Sequence, residues 1–349
     1  MIFQKKQDYL QPVQSNNVLG GTCRFDISRE YPIEAMFIVV SAVVTTAAAT
    51  LNADGLLKLI RRVTLNGPDG ARNRNVVDVS GPDLVELAYH YNGFLDRNTR
   101  QRLNAAASGA ATYEMVFPIW FALPQLDDPL SSALILPVDR FNANPQLNIQ
   151  FCSQAEMDTN AAPTFVLGTT TVTLVVVRRI VDRVNWPVYD TELFSLQQNY
   201  PSTGDNQEFV IPNNGNYTAI LLRCQGGTSA APSRQDISPA NSDWDLRISG
   251  NVLRRFRLLD IQRENDFSAA VGSGATDALN GSFFLDFLTD RVGNCGSDIS
   301  SALGSTLNAN IPLNSGVKIA LRQNITGNTG TQVNYVMHRI YGNLEKLKR

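Results

Sequence analysis

Met115-Val116-Phe117-Pro118-Ile119-Trp120 opens a series of segments that the second half of the chain repeats from Ser282-Phe283-Phe284-Leu285-Asp286-Phe287. After the first comes Ser131-Ser132-Ala133-Leu134, then Leu147-Asn148-Ile149-Gln150-Phe151, then Val175-Val176-Val177-Arg178-Arg179-Ile180. After the second come Ser300-Ser301-Ala302-Leu303, Val317-Lys318-Ile319-Ala320-Leu321 and Tyr335-Val336-Met337-His338-Arg339-Ile340. The offsets are 169 residues for the Ser-Ser-Ala-Leu copies, 170 for the next segment and 160 for the closing Arg-Ile pair. Four elements held in order and spacing point to a tandem duplication. Its boundary falls near Asn185–Tyr189, where Trp186-Pro187 interrupts a strand. Val176 and Val336 are then equivalent core positions, as are Ile149 and Ile319.

The segments between these landmarks read as short β runs broken by turn residues. Cys23–Arg29 alternates, and Glu34–Thr46 is rich in Val, Ile and Phe. Leu56–Leu65 runs into the turn signal Asn66-Gly67-Pro68-Asp69-Gly70. Tyr113–Phe121, Gln146–Cys152 and Thr170–Val181 complete the first half. The second half reads Glu208–Pro212, Tyr217–Cys224, Trp244–Ser249, Val252–Gln262, Ser282–Leu288, Val317–Arg322 and Gln332–Tyr341. Helices are few. Pro82–Tyr91 is the best, with Pro82 at the first helical position, Asp83 at the positive end and Leu84, Leu87, Ala88 and Tyr91 as one apolar stripe, closed by Gly93. Asp127–Leu134 and Asp298–Leu303 each suit a short helix. About eight strands in each half, with a few short helices, predict an all-β chain of two tandem jelly rolls. The expected divisions are an N-terminal arm over 1–20, a first roll over 21–186 and a second over 187–349.

The bulk properties fit a building block. The 349 residues suffice for about two domains, and 43% hydrophobic against 18% charged residues is too apolar for a disordered chain. Net charge is -2, which gives no broad reason to coat nucleic acid and little repulsion between copies. There are 24 Arg and 6 Lys, with no Lys between Lys58 and Lys318. Arg is favoured at protein interfaces and Lys is not; biased codon usage gives the same count. No apolar run follows Lys5 and Lys6, so no signal peptide is expected and synthesis is expected in the cytosol. Ile38–Val44 and Val172–Val177 are too short to span a bilayer. Cys23, Cys152, Cys224 and Cys295 are scattered, with no C-x-x-C pair, and read as buried thiols.

A catalytic set is not apparent. His90 and His338 are the two histidines, and both read as packed or surface residues. There is no G-x-S-x-G and no G-x-x-x-x-G-K-[ST], and Gly272-Ser273-Gly274 reads as a loop. Asp127-Asp128 before Pro129 suits helix capping. Asp243 and Asp245 flank Trp244, where an acid pair could bind sugar or metal, or sit as a turn and an exposed strand residue. Three Arg pairs are candidate inter-subunit or inter-domain ties: Arg61 and Arg62, Arg178 and Arg179, Arg254 and Arg255. On a strand each pair sends one guanidinium to either face, where a carboxylate must meet it unless solvent does. The loops Asn104–Thr112, Asp158–Gly168, Gly226–Asn241 and Asp266–Gly281 are long enough to have a role.

Taken together the chain resembles the double jelly-roll major capsid proteins of the tectivirus and corticovirus type, from internal-membrane icosahedral phages whose architecture is like that of the adenovirus hexon. The resemblance spans nearly the whole chain. It rests on Leu56-Leu57-Lys58-Leu59-Ile60-Arg61-Arg62-Val63-Thr64-Leu65 running into a turn and the Pro82 helix. It rests also on Tyr113–Phe121, on Asp139-Arg140-Phe141 before Leu147–Phe151, and on the duplicated half. It implies a structural virion protein, not an enzyme and without cofactor or metal, that forms pseudo-hexameric homotrimers. These would tile an icosahedral shell with neighbouring capsomers, and a separate penton protein would fill the vertices. It implies made-in-host-cytoplasm, virion-resident protein with no specific nucleic acid. Met1–Asn17 would face an internal membrane, with Lys5 and Lys6 meeting lipid headgroups, or form a disordered tail. The chain is compact for the family, so tall tower insertions are not expected. The alternatives are a double jelly-roll glycan hydrolase or amidase and a carbohydrate-binding protein.

Overall fold

Gln146–Phe151 shows how this sequence makes sheet. Leu147, Ile149 and Phe151 are fully buried, while Gln146, Asn148 and Gln150 stand half-buried on the other side. Side chains of a strand point alternately to opposite faces, so a period-2 pattern pins one face to the core. The computed structural model describes residues 4–46, 54–69, 72–92, 109–122, 135–158, 164–180, 190–212, 216–228, 231–234, 242–257, 281–286 and 318–341, with the single residues 237 and 261.

The chain divides into two units, Met1–Phe194 and Ser195–Arg349. In the first, β1 (Gln4–Leu10), β4 (Ile33–Thr46), β7 (Gly109–Trp120) and β9 (Val166–Ile180) form one antiparallel sheet in the order β1-β9-β4-β7. A second run of strands comprises β2 (Gln14–Ser15), β3 (Thr22–Asp26), β5 (Ile60–Asp69), β6 (Arg72–Val79) and β8 (Gln146–Phe151), in the order β2-β3-β8-β5-β6. If the short β2 is set aside, the eight strands in chain order pair as 1-8-3-6 and 2-7-4-5, the two sheets of a jelly roll.

The second set of strands repeats this order. It starts with β10 (Asp190–Asn199), which crosses the division between the units, and continues with β11 (Gly204–Ile211) and β12 (Asn216–Thr228). β14 (Asp243–Ile248), β15 (Asn251–Arg257), β16 (Ser282–Asp286), β17 (Ile319–Ile325) and β18 (Gln332–Tyr341) complete it, with β13 (Ala231–Arg234) as an extra piece paired to the end of β12. The neighbours run β10-β18-β12-β16 and β11-β17-β14-β15, again 1-8-3-6 and 2-7-4-5. Two tandem eight-stranded jelly rolls are therefore the architecture. Val176 lies opposite Met36 on the third strand of its set, and Val336 lies opposite Leu221 on the third strand of the other. Both valines are fully buried, as is Ile149.

Several local readings change. β5 does not stop at the Asn66–Gly70 turn signal but continues through Asp69, paired with Arg72. Gly67 serves close packing there. A Cβ on it would sit 2.8 Å from Val76 Cγ2 and 2.9 Å from the Phe141 ring. The helix α1 (Gly81–Asn92) is buried on every side from Gly81 through Tyr91, not on one stripe. Its start is a reciprocal cap, with the Ser80 N–H donating to Asp83 (2.9 Å) and the Asp83 N–H donating to Ser80 Oγ (3.4 Å). A one-turn helix α2 (Gln154–Met157) is started the same way by Ser153 and Glu156. β17 lies further along the chain than Val317–Arg322 predicts. Asp127–Leu134, Asp298–Leu303, both Ser-Ser-Ala-Leu copies, Trp186-Pro187, Gly93, Gly272-Ser273-Gly274 and Cys295 lie outside the described residues.

Candidate anchoring and assembly surfaces

The last turn-ward stretch of β9 buries four residues in a row, Val176 to Arg179. Both faces of the sheet are covered here, so each guanidinium needs a partner on its own side. Arg178 has no exposed side-chain surface. Its Nε donates to Asp8 Oδ2 (2.6 Å), Nη1 to the carbonyls of Ser28 (3.0 Å) and Tyr31 (2.9 Å), and Nη2 to Ser28 Oγ (3.1 Å). Arg179 meets Glu34 Oε2 at 3.2 Å. Lys5 meets the other oxygen of Glu34 at 2.7 Å, and Lys6 meets Glu30 at 2.7 Å and Asp8 at 3.4 Å.

The register explains why these acids are there. Lys6 lies opposite Arg178 and Lys5 opposite Arg179, so β1 brings like charges face to face across the pair. Asp8, Glu30 and Glu34 convert that repulsion into a network that holds the N-terminal strand to its sheet. Arg178 and Arg179 are thus ties within their own unit. Arg178, wholly enclosed, has no surface to offer a second subunit. Lys5 and Lys6 belong to a strand, not to a free arm, and Lys5 keeps 57% of its side chain exposed.

The other pairs lie nearer the surface. Arg61 meets Glu156 at 3.2 Å, and Arg62 grips Asp78 through Nε (2.5 Å) and Nη2 (2.7 Å). Arg255 meets Asp245 Oδ1 at 2.8 Å. The backbone of Arg254 pairs with Leu246, and its side chain lies outside the described set.

Asp245 sits in a row of alternating sign across one sheet, Glu208, Arg322, Asp245, Arg255. Its carboxylate is nearly buried, which alone would raise its pKa. Hydrogen bonds from Arg255 and Arg247 (2.7 Å) outweigh this and hold it below the usual range. A carboxylate fixed as an anion between two guanidiniums is not poised as a general acid. Trp244 points the opposite way, fully buried, with its ring 5.1 Å from that of Phe283. Among the described residues no three His, Cys, Asp or Glu side chains are grouped to hold a metal. Cys23, Cys152 and Cys224 are buried free thiols, and burial pushes Cys23 to about 11 and Cys152 to about 12. Such thiols stay protonated and unreactive at neutral pH.

The second unit has a buried polar line of its own. The Tyr200 and Tyr335 hydroxyls are 2.7 Å apart, Tyr335 donates to Gln323 Oε1 at 2.8 Å, and Phe209 stacks on Tyr335 at 3.5 Å. His338, three residues further along β18, is buried, and desolvation lowers its pKa to about 4. The unfolded chain takes up that proton near pH 6.5 and the folded chain does not until about pH 4. This contribution to stability is complete above pH 6.5 and is lost as pH falls toward 4. At about 1.4 kcal/mol per unit it comes to roughly 3 kcal/mol. Chemical denaturation at pH 7 and pH 4.5 should show His338→Gln losing less stability over that interval than the wild type does. An equal loss in both proteins contradicts the buried neutral imidazole.

The sequence missed Asp8 and Glu34, the two acids that complete the anchoring network. A usable signal is Glu34 itself, an acid at the head of a long apolar strand.

A fold of two successive copies of one eight-stranded order defines a class, the double jelly roll. Neither a family model nor a curated protein matches the sequence. Solved structures match over nearly the whole chain. The MCP of STIV is 13% identical with a TM-score of 0.66, covering 97% of this chain and 96% of its own. The major capsid protein P2 from bacteriophage PM2 is 13% identical with a TM-score of 0.54, covering 97% and 98%. A chain of the PBCV-1 virus capsid is 12% identical with a TM-score of 0.60, covering 97% and 94%. At such identities the likeness establishes the fold, which is the double jelly roll found in these capsid proteins.

Proposed function

We propose that this chain is a major capsid protein, a structural component of an icosahedral virion, made in the host cytoplasm and resident in the shell. The observation that carries the reading is the repeated pairing order, 1-8-3-6 with 2-7-4-5, in two successive sets of strands. Three copies of a doubled unit present six similar edges, so one gene product can occupy six-fold positions. Five-fold vertices then need a separate penton protein. The end-to-end match to capsid structures supports the same reading. The chain needs no cofactor and performs no catalysis. The edge carrying Lys5 and Lys6 faces an internal membrane. Four cations there, Lys5, Lys6, Arg178 and Arg179, outnumber the three carboxylates Asp8, Glu30 and Glu34, which suits anionic headgroups.

Negative-stain images of the purified chain should show particles with a six-lobed outline. Assays on glycans and esters should show no activity that Asp243→Ala or Asp245→Ala removes. Single-lobed or two-lobed monomers, or an activity lost in either variant, would move the reading to the glycan-active alternative.

A further inference from the structure

The sheet β1-β9-β4-β7 has an apolar core face and, on its outer face, an apolar patch bounded by polar residues. Toward the core it buries Ile38, Val40, Met115, Phe117, Leu174 and Val176. The residues between them form the outer face. Tyr9, Val175, Phe37 and Pro118 lie in one row across the four strands, and Val39 and Val116 pair in the next. Trp120 lies beside Phe37, edge to face, with centroids 5.3 Å apart. Tyr9 is 69% exposed, and Phe37, Val39, Val116, Pro118, Trp120 and Val175 are half-buried. An antiparallel sheet that meets water on its outer face alternates apolar and polar residues. The other sheet of this unit does so, with Gln146, Asn148 and Gln150 outward. This one does not.

The corresponding strands of the second set give the contrast. Ile220, Leu221 and Leu222 on β12, Phe283, Phe284 and Leu285 on β16, and Val336 and Met337 on β18 are all buried, so over these three strands both faces are covered within a single chain, while β10 beside them keeps Leu196 exposed.

We infer that the outer face of β1-β9-β4-β7, centred on Phe37, Val39, Val116 and Trp120, is the surface that seats a second copy of this chain. The inference rests on the proposed function and names the surface through which that function is carried out. The seven side chains present roughly 400 Å² of apolar surface, within the ~300–600 Å² of the largest patch on a typical monomer, which is often functional. About 800 Å² per partner is usual for a stable interface. The patch therefore supplies its dry centre, and Gln7, Glu114 and Thr171 lie around it as a polar rim. Phe37 and Trp120 at the centre, with Tyr9 on the edge strand, are the residue type that anchors protein contacts. No Lys or Arg lies in the two rows, and Lys5 and Arg179 come only at the far end of the same face, two rows beyond Tyr9 and Val175.

The test uses the full chain. Val39→Glu and Val116→Glu each place a charge at the centre of the patch, on the side away from the core. Each should raise the concentration of half-dissociation of the trimer by at least ~100-fold, with the far-UV spectrum unchanged. Hydroxyl-radical footprinting of the wild type needs no substitution. Tyr9, open in the single chain, should be protected at micromolar concentration and modified freely after dilution below dissociation. If the wild type is a trimer, and the variants remain trimers with Tyr9 freely modified, this surface is wrong and the capsid reading stands. If the wild type is a monomer at every concentration, both fall together. If either variant fails to fold, protection of Tyr9 decides alone.

Discussion

Val176→Asp and Val336→Asp should each abolish soluble, assembled protein. Both valines are fully buried on the last strand of their jelly roll, opposite the third strand, and the carboxylate of Asp8 already holds the Arg178 guanidinium beside Val176. An unpaired charge in such a site costs several kcal/mol, a large share of a domain's net stability of about 5–15 kcal/mol. The two substitutions should fail alike, because the repeated pairing order gives them the same place. Expression yield and the sedimenting fraction measure this directly. Wild-type yield from either variant would mean that its site is not enclosed, and the equivalence of the two strands would be lost with it.

The second large effect is expected at Asp8. Asp8→Ala removes the one carboxylate bonded to Arg178 and leaves the two backbone carbonyls and Ser28 Oγ as its partners. Breaking one side of a buried ion pair typically costs 3–5 kcal/mol, because the other charge stays desolvated. Asp8→Ala combined with Arg178→Met should recover most of that loss, since a buried pair replaced by apolar groups is often neutral. Thermal unfolding and protease cleavage within residues 4–10 report the two stages. If the single variant is as stable as wild type, β1 is held by its backbone pairing alone. If the double variant is no better than the single, the cost lies in lost packing and not in a stranded charge.

These two sites mark what the sequence could and could not convey. Strands with one dry face, such as Gln146–Phe151, announce themselves, because burial and alternation are the same fact seen twice. The repeat was legible for the same reason, as the seventh strand of the first set alternates and its eighth carries the apolar run Leu174–Val177. β1, β6 and β10 were not legible. Gln-Lys-Lys-Gln-Asp-Tyr-Leu, Arg-Asn-Arg-Asn-Val-Val-Asp-Val and Asp-Thr-Glu-Leu-Phe-Ser-Leu-Gln-Gln-Asn are polar strands held by neighbours distant in sequence. The Arg178-Arg179 pair was visible, but Asp8 lies 170 residues from Arg178 and Glu34 lies 145 from Arg179. Only the fold brings them together. The stripe on α1 was a partial truth, since a helix enclosed on all sides has no polar face for periodicity to reveal. The apolar outer face of β1-β9-β4-β7 was hidden for a related reason. The Val- and Ile-rich run Glu34–Thr46 reads equally well as a strand covered on one side or on both.

On the proposed function, the doubled fold serves association, and light scattering coupled to size exclusion, from micromolar to nanomolar chain concentration, reads that association as a mass. A stable trimer should appear as a mass three times that of the chain, and it should persist through the micromolar range, as expected of interfaces that bury more than ~2,000 Å² in total. A single-chain mass at every concentration would contradict the account.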